Sequence, residues 1–187
     1  MPDTDDLLTE TELKMEDSVD ALVRSLASVR TGRASPGLIE NLQIDYYGTY
    51  TPLNQLASIA VPEARLLTVQ PWDKSSIPAV EKSILQADLG LNPASDGQLI
   101  RIPIPPLTDE RRRDLAKLVS RRVEEGRVSV RNARRESVEQ ARSMKKTKDI
   151  SEDEERRATA QIQKLTDSFI KKISELGEAK EQELMEG

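Results

Sequence analysis

The chain has 187 residues, of which 33% are charged and only 3% aromatic, and its formal net charge is -5. It has no cysteine and no histidine, so a disulfide framework is excluded and the commonest nucleophile, general base and transition-metal ligands are missing. The length allows one or two domains, and the Ala/Glu/Lys/Leu/Arg-rich composition predicts long helices rather than a large sheet.

The amino-terminal segment Met1-Pro2-Asp3-Thr4-Asp5-Asp6 is acidic and lacks an apolar run, so neither a secretory signal nor a basic transit peptide is expected. No stretch approaches the roughly 18 apolar residues of a membrane span. A cytoplasmic protein without a membrane partner is expected. Met15, Val19, Leu22, Leu26 and Val29 then recur at spacings of 4, 3, 4 and 3, the seam of a helix packed in a bundle. Thr9 with Glu12 fits a capping box for this first helix, and Gly32 fits its stop.

Residues 31–105 have a different character. Nine of the ten prolines fall between Gly32 and Pro106. Leu42, Ile44 and Tyr46 alternate with polar residues as in a half-buried strand, and Gly48-Thr49 signals a turn. Ser58–Val61, Leu66–Gln70 and Leu99–Ile102 are further strand candidates. Residues 79–85 read as a short helix capped from Ser75 or Ser76, and Trp72 reads as a packing or capping residue. Asp88-Leu89-Gly90-Leu91-Asn92 lacks the ligand count of a calcium loop, and no metal site or cofactor is expected.

The second long helix is expected from about Leu107 to Lys148, capped by Thr108. Leu115, Val119, Val123, Val130, Ala133, Ala141 and Met144 form its apolar side. At ~1.5 Å per residue it spans about 60 Å. The third helix starts at Ser151, whose capping box is completed by Glu154, and continues through Ala158, Ile162, Leu165, Phe169, Ile173 and Leu176. The short link between the two makes them antiparallel neighbours. The fold class is therefore α+β: an elongated three-helix bundle (1–30 and 106–187) with a small β/α/β domain (31–105) inserted. The two connections are Arg30-Thr31-Gly32-Arg33 and Pro103-Ile104-Pro105-Pro106. Glycine frees the backbone and proline stiffens it, and the residues fit a moving hinge and a junction of fixed angle equally well. For Arg30 and Arg33 the expected role is local packing or capping.

Charge is unevenly placed. Residues 106–148 carry a surplus of +7, whereas 1–30, 31–105 and 149–187 come to -5, -2 and -5. Arg127, Arg131, Arg134, Arg135 and Arg142 fall within an arc of about 100° on the second helix, apart from its apolar side. Such a basic edge is the footprint of a protein that meets a polyanion. Arginine suits phosphate because its planar fork donates two parallel hydrogen bonds and stays charged. Scarce aromatics argue against base stacking, so backbone- and shape-directed recognition of structured RNA is expected. Two other readings stay open: a solvated charged face, with Glu124, Glu136 and Glu139 pairing with neighbouring arginines, and a helical adaptor that docks an acidic protein. No residues form a catalytic constellation or a phosphate-cradling glycine loop, so an enzyme is not expected.

Several segments together resemble the bacterial ribosome recycling factor family over nearly the whole chain. They are Val29-Arg30-Thr31-Gly32-Arg33-Ala34-Ser35-Pro36, Tyr46-Tyr47-Gly48-Thr49, residues 59–65, Gln70-Pro71-Trp72-Asp73, residues 100–108, Glu110-Arg111-Arg112, residues 130–135 and residues 150–154. The resemblance implies an L-shaped, two-domain monomer whose bundle and β/α/β domain meet at a hinge. It also implies binding of the post-termination (70S-type) ribosome along large-subunit rRNA. Elongation factor G and its GTP hydrolysis would then split the subunits, releasing mRNA and tRNA. By position in the family's motif, Arg112, Arg131 and Arg134 correspond to its RNA-contacting arginines. With Arg127 and Arg135 from the basic edge, these five are the expected rRNA-binding residues.

Overall fold

Helix α1 (Thr4–Ala27) begins with Asp3, whose carboxylate accepts a hydrogen bond from the Asp6 amide at 2.8 Å. This is a true cap, and it corrects the Thr9–Glu12 assignment. Thr9 sits inside the helix, where its hydroxyl donates to the Asp5 carbonyl. The helix also ends at Ala27, five residues before Gly32. The computed structural model describes residues 3–186; Met1 and Pro2 of the acidic amino-terminal segment, and Gly187, lie outside the described residues. Within them, the chain divides into two compact units.

The first unit comprises the chain up to Leu26 together with Ala116–Gln182. It holds α1 and most of two longer helices, α3 (Asp109–Lys146) and α4 (Glu152–Glu186). Thr108 caps α3 by accepting from the Arg111 amide at 3.1 Å. Both halves of the expected Ser151–Glu154 capping box form, at 2.7 and 3.1 Å. The link between them is tighter than its residues announce. Lys148 adopts φ 63, and the amides of Asp149 and Lys148 reach back to the carbonyls of Met144 and Lys145. That is a Schellman closure with lysine where glycine is usual. Ile150 then packs with Leu7, Ala141, Met144 and Ile162.

Two devices fix the register of this bundle. Along α1, Thr11, Ser18 and Ser25 repeat every seven residues and meet Ser137, Ser129 and Arg122 of α3. The pairing runs antiparallel, and at its buried rung it satisfies the Ser137 hydroxyl. On the opposite side, α3 and α4 approach closely at Gly126 and Gly177. A Cβ on Gly177 would stand 2.8 Å from Val123 Cγ2, whereas one on Gly126 would meet Ile173 and Leu22 methyls at 3.5 Å. Val119, Val123, Val130 and Ala133 of α3 and Ile162, Phe169 and Ile173 of α4 are buried, as their spacing predicts.

The second unit is Ala27–Leu115 with the residues from Glu183 onward. Strands β1 (Gln43–Tyr46) and β2 (Thr49–Pro52) form a hairpin in register Gln43↔Pro52. Its central residues Tyr47 and Gly48 have φ 51 and 82, the two-residue turn that matches strand twist. Leu42 lies just outside β1. Strands β3 (Ala57–Glu63), β4 (Leu66–Pro71), β5 (Ala94–Ser95) and β6 (Ile100–Pro103) form an antiparallel sheet of order β3-β4-β6-β5. Helix α2 (Ile77–Gln86) packs on β1. Its core contains Ile44, Leu53, Leu67, Val69, Val80, Ile84, Ile100 and Ile102, all fully buried.

Two expectations fail around Trp72. The indole is 68% exposed rather than packed. The local cap is Asp73, whose carboxylate accepts from the Ser75 amide and from Tyr46 and Tyr47 hydroxyls. Ser76, at the start of α2, makes no capping bond to the helix.

The two helical glycines predict opposite outcomes in thermal melts. Gly177→Ala forces Val123, a short stiff side chain, out of its rotamer well. The overpacking exceeds the helix-propensity gain, for a net loss of about 1–2 kcal/mol and a fall of roughly 2–6 °C in Tm. Gly126→Ala only makes ordinary contacts and should hold or raise Tm. A higher Tm for Gly177→Ala would overturn this account of the packing.

Candidate nucleic-acid interface

Four of the five expected RNA-binding arginines lie on the stretch of α3 inside the first unit, and the structure brings them together. Three are partly buried rather than free-standing. Arg127 donates to Ser174 Oγ of α4 at 3.0 Å and to Glu124 at 3.2 Å. Arg131 donates to the other Glu124 oxygen at 3.1 Å. Arg134 donates to Gln163 Oε1 of α4 at 3.1 Å. Arg135 is exposed and has no ion pair among the described residues. Arg142, on the same arc, is loosely paired with Glu139 at 3.9 Å.

Sequence reasoning placed these side chains outward and clear of the core. The structure shows instead that Arg127 and Arg134 lie at the margin of the core and lean across onto α4. Their contacts there are neutral oxygens, not carboxylates. A neutral acceptor orients a guanidinium without cancelling its charge, so the donor forks are held in place yet remain cationic. Glu124 pairs with two of these arginines, and neither Arg134 nor Arg135 has an ion pair among the described residues.

That carboxylate organises the centre of the edge. Hydrogen bonds from Arg127 and then Arg131 hold Glu124 below the usual carboxylate range. Pairing of Glu124 was expected, but its bridging of two arginines was not. The spacing Glu124, Arg127, Arg131, with steps of three and four, is the signal that shows it. Glu136 turns away from the arginines and pairs with Lys14 of α1 at 3.1 Å. Ser174 and Gln163, on another helix, left no trace in the local pattern.

Arg112 belongs to the second unit, on the first turn of α3, with Asp109 at 3.9 Å. Its Nε is buried without a hydrogen-bond partner. The eight expected hinge residues Arg30, Thr31, Gly32, Arg33, Pro103, Ile104, Pro105 and Pro106 also lie within the second unit. Gly32 has φ 81, Thr31 is buried and Ile104 joins the core. Arg33 pairs with Glu186 at 3.6 Å, and Arg30 donates to the Pro105 carbonyl at 3.0 Å. No helix is long and apolar enough to cross a membrane, and no cluster of metal-ligating side chains occurs among the described residues.

Comparison with known proteins gives this geometry its context. Residues 22–185 match the ribosome recycling factor family. The chain is 49% identical over 184 residues to the ribosome-recycling factor of Nitratidesulfovibrio vulgaris, covering 98% of this chain and 99% of that protein. Identity to the Thermomicrobium roseum ribosome-recycling factor is 51% over 182 residues, covering 97% and 98%. Among solved structures, a solution structure of the ribosome recycling factor superposes with TM-score 0.80 at 43% identity over 100% of both chains. A second similar structure describes T. thermophilus ribosome recycling factor and E. coli elongation factor G bound to the E. coli post-termination complex. It has TM-score 0.71 and 47% identity, and covers 98% and 99% of the two chains.

Glu124→Gln tests the organising role. It should leave Tm nearly unchanged and raise affinity for a polyanion such as heparin about two- to fivefold, because exposed pairs contribute little to stability and compete with phosphate. The pH dependence has a defined sign. With its folded-state value depressed, Glu124 stabilises the protein above its unfolded value, and this contribution is lost as pH falls through the folded value. The window lies at and below about pH 4.3, the unperturbed glutamate value. A weaker polyanion affinity in Glu124→Gln would mean that the carboxylate positions the arginines rather than masking them.

Proposed function

The chain belongs to the ribosome recycling factor family, and on that basis we propose that it binds the post-termination ribosome through large-subunit rRNA. Together with elongation factor G it then separates the subunits, so that mRNA and tRNA are released. The chain is not itself an enzyme, and GTP hydrolysis belongs to elongation factor G. The observation that carries the RNA-binding reading is the edge of Arg127, Arg131, Arg134 and Arg135 on α3, where Arg127 and Arg134 are held by neutral oxygens of α4. A related structure with elongation factor G on a post-termination complex supports the choice of partners. The cytoplasm is the setting in which this activity fits, with the protein acting as a monomer.

The physical sequence runs from charge to position to work. Long-range attraction brings the basic edge to RNA and releases condensed counterions. The oriented forks then fix register on backbone phosphates, without reading bases. Arg112 adds a further contact from the start of α3. Exposed ion pairs such as Glu124–Arg131 contribute only ~0.2–1 kcal/mol, so phosphates displace them readily. The segments 30–33 and 103–106 act as the joint through which elongation factor G moves one part of the molecule. Gly32 is the residue of the joint least tolerant of replacement, because its φ of 81 is a conformation other residues rarely adopt.

Arg134→Ala should weaken binding to purified ribosomes roughly tenfold and flatten the salt dependence, as fewer counterions are released. Unchanged affinity and slope would remove this face from the mechanism. Binding that survives stripping of the RNA by nuclease would instead favour an adaptor for an acidic protein. For the joint, Gly32→Val should reduce splitting of post-termination ribosomes by elongation factor G and GTP more than it reduces binding. Equal losses, tracking a lower Tm, would show simple destabilisation.

A further inference from the structure

The loop between β5 and β6 contains Asp96-Gly97, the one step in the chain where an aspartate or asparagine precedes glycine. Such a step is chemically labile, because glycine has no Cβ to shield its own amide nitrogen. That nitrogen can attack the side-chain carboxyl carbon of the aspartate before it. The new C–N bond closes a five-membered succinimide, and one carboxyl oxygen leaves as water with the amide proton and the acid proton. Water then adds to either imide carbonyl. Opening at one restores aspartate, and opening at the other leaves isoaspartate, in which the chain runs through the side-chain carbon. The net change is an isomerisation that needs only water.

Both reacting groups are held apart in the structure. The amides of Leu99 and Gln98 donate to Asp96 Oδ1 at 2.9 and 3.0 Å, and Arg101 Nη1 donates to Oδ2 at 2.9 Å. The carboxylate therefore faces residues further along the loop rather than the nitrogen of Gly97. That nitrogen, the nucleophile, donates its own proton to Ser95 Oγ at 3.0 Å. The Leu99 amide first, then the Gln98 amide and Arg101, hold the Asp96 carboxyl down to about 2. A carboxylate is a poor electrophile and the reaction runs through the protonated acid, whose share falls by roughly 10- to 100-fold. No packing adds to this protection. The loop is exposed, and the space beside Gly97 is open.

We propose that Asp96-Gly97 is a latent isoaspartate site, locked by Arg101, Ser95 and two loop amides, which opens when β5 leaves the edge of its sheet. Strand β5 has only two residues, paired with Ile100 and Arg101, and short edges of this kind open locally at small cost. Opening carries Ser95 away from the Gly97 amide and loosens the grip on Asp96. Once isomerised, the loop has an extra backbone carbon between the Asp96 amide and Gly97, so the three donors no longer meet one carboxylate. The product carries a free α-carboxylate on an exposed loop. That is the class of substrate taken by a carboxyl methyltransferase that uses S-adenosylmethionine. The site is independent of the ribosome-binding function proposed above.

The test incubates the full-length protein at neutral pH and physiological temperature, beside a peptide of residues 94–101 and the variants Arg101→Gln, Arg101→Lys, Ser95→Ala and Asp96→Glu. Isoaspartate at position 96 is counted by peptide mapping and by methyl transfer from labelled S-adenosylmethionine with an isoaspartyl methyltransferase. The folded protein should isomerise at least about tenfold more slowly than the peptide, matching one unit or more of carboxyl depression. Arg101→Gln and Ser95→Ala should each raise the rate about three- to tenfold with Tm nearly unchanged, because the pairs they remove are exposed. Arg101→Lys keeps the cation and should stay nearer the parent chain. Asp96→Glu should give no signal at this position, since its ring would need six members. Equal rates in folded protein and peptide would show that no lock exists and overturn the proposal. Parent-like rates in both Arg101→Gln and Ser95→Ala would also overturn it, as would a rise that appears only where Tm has fallen.

Discussion

The register of α3 between α1 and α4 is the constraint on which the rest of the first unit depends. It is set twice, by chemically unrelated means. On one side Thr11, Ser18 and Ser25 pair with Ser137, Ser129 and Arg122. On the other, Gly177 leaves no room for a side chain against Val123. The hydroxyl ladder penalises slippage most at its buried rung, where Thr11 and Ser137 would lose each other, at about 1–3 kcal/mol for a buried hydroxyl left unpaired; the Ser18–Ser129 rung is exposed and contributes less. A glycine contact penalises it because any other residue clashes. Together they hold Ser174 and Gln163 opposite Arg127 and Arg134.

That arrangement explains how an acidic protein presents a cationic edge. Its net charge of -5 keeps it soluble and repels polyanions on most surfaces. Only one strip of α3 reverses the sign. Arginines tied to neutral oxygens have already given up part of their rotamer freedom, so less entropy is lost when phosphate arrives. Asp73 is the corresponding organiser in the second unit. It gathers Ser75, Tyr46 and Tyr47, which hold it below the usual carboxylate range, and it fixes a hairpin whose Tyr47 has positive φ.

Much of this was legible in the residues. Periodicity found all three long helices and the apolar side of α3, because those positions repeat over many turns. The Ser151–Glu154 box was readable because both partners are local. Thr9 misled because the same residue types occur inside helices, where a threonine hydroxyl turns back to the preceding turn. Trp72 misled because size was taken as a sign of burial. Strands β2 and β5 went unseen: one has four residues and ends in proline, the other has two residues. The anchors on α4 are products of tertiary structure, and no local pattern encodes them.

The hydroxyl ladder also has a consequence for how the protein is made. Its bonds join residues 126, 111 and 97 positions apart, so α1 leaves the synthesising ribosome long before α3 exists. At roughly 5–20 residues per second, α1 waits on the order of ten seconds with Met15, Leu22 and Leu26 uncovered. Helices α3 and α4, joined by a closed link, need no such delay. The intervening residues 31–105 have their own core and can fold during the wait, which brings the ends of a long loop together before α3 emerges. The acidic face of α1 then acts as its chaperone in time: seven Asp and Glu side chains between Asp5 and Asp20 keep the unpaired helix soluble until its partners arrive.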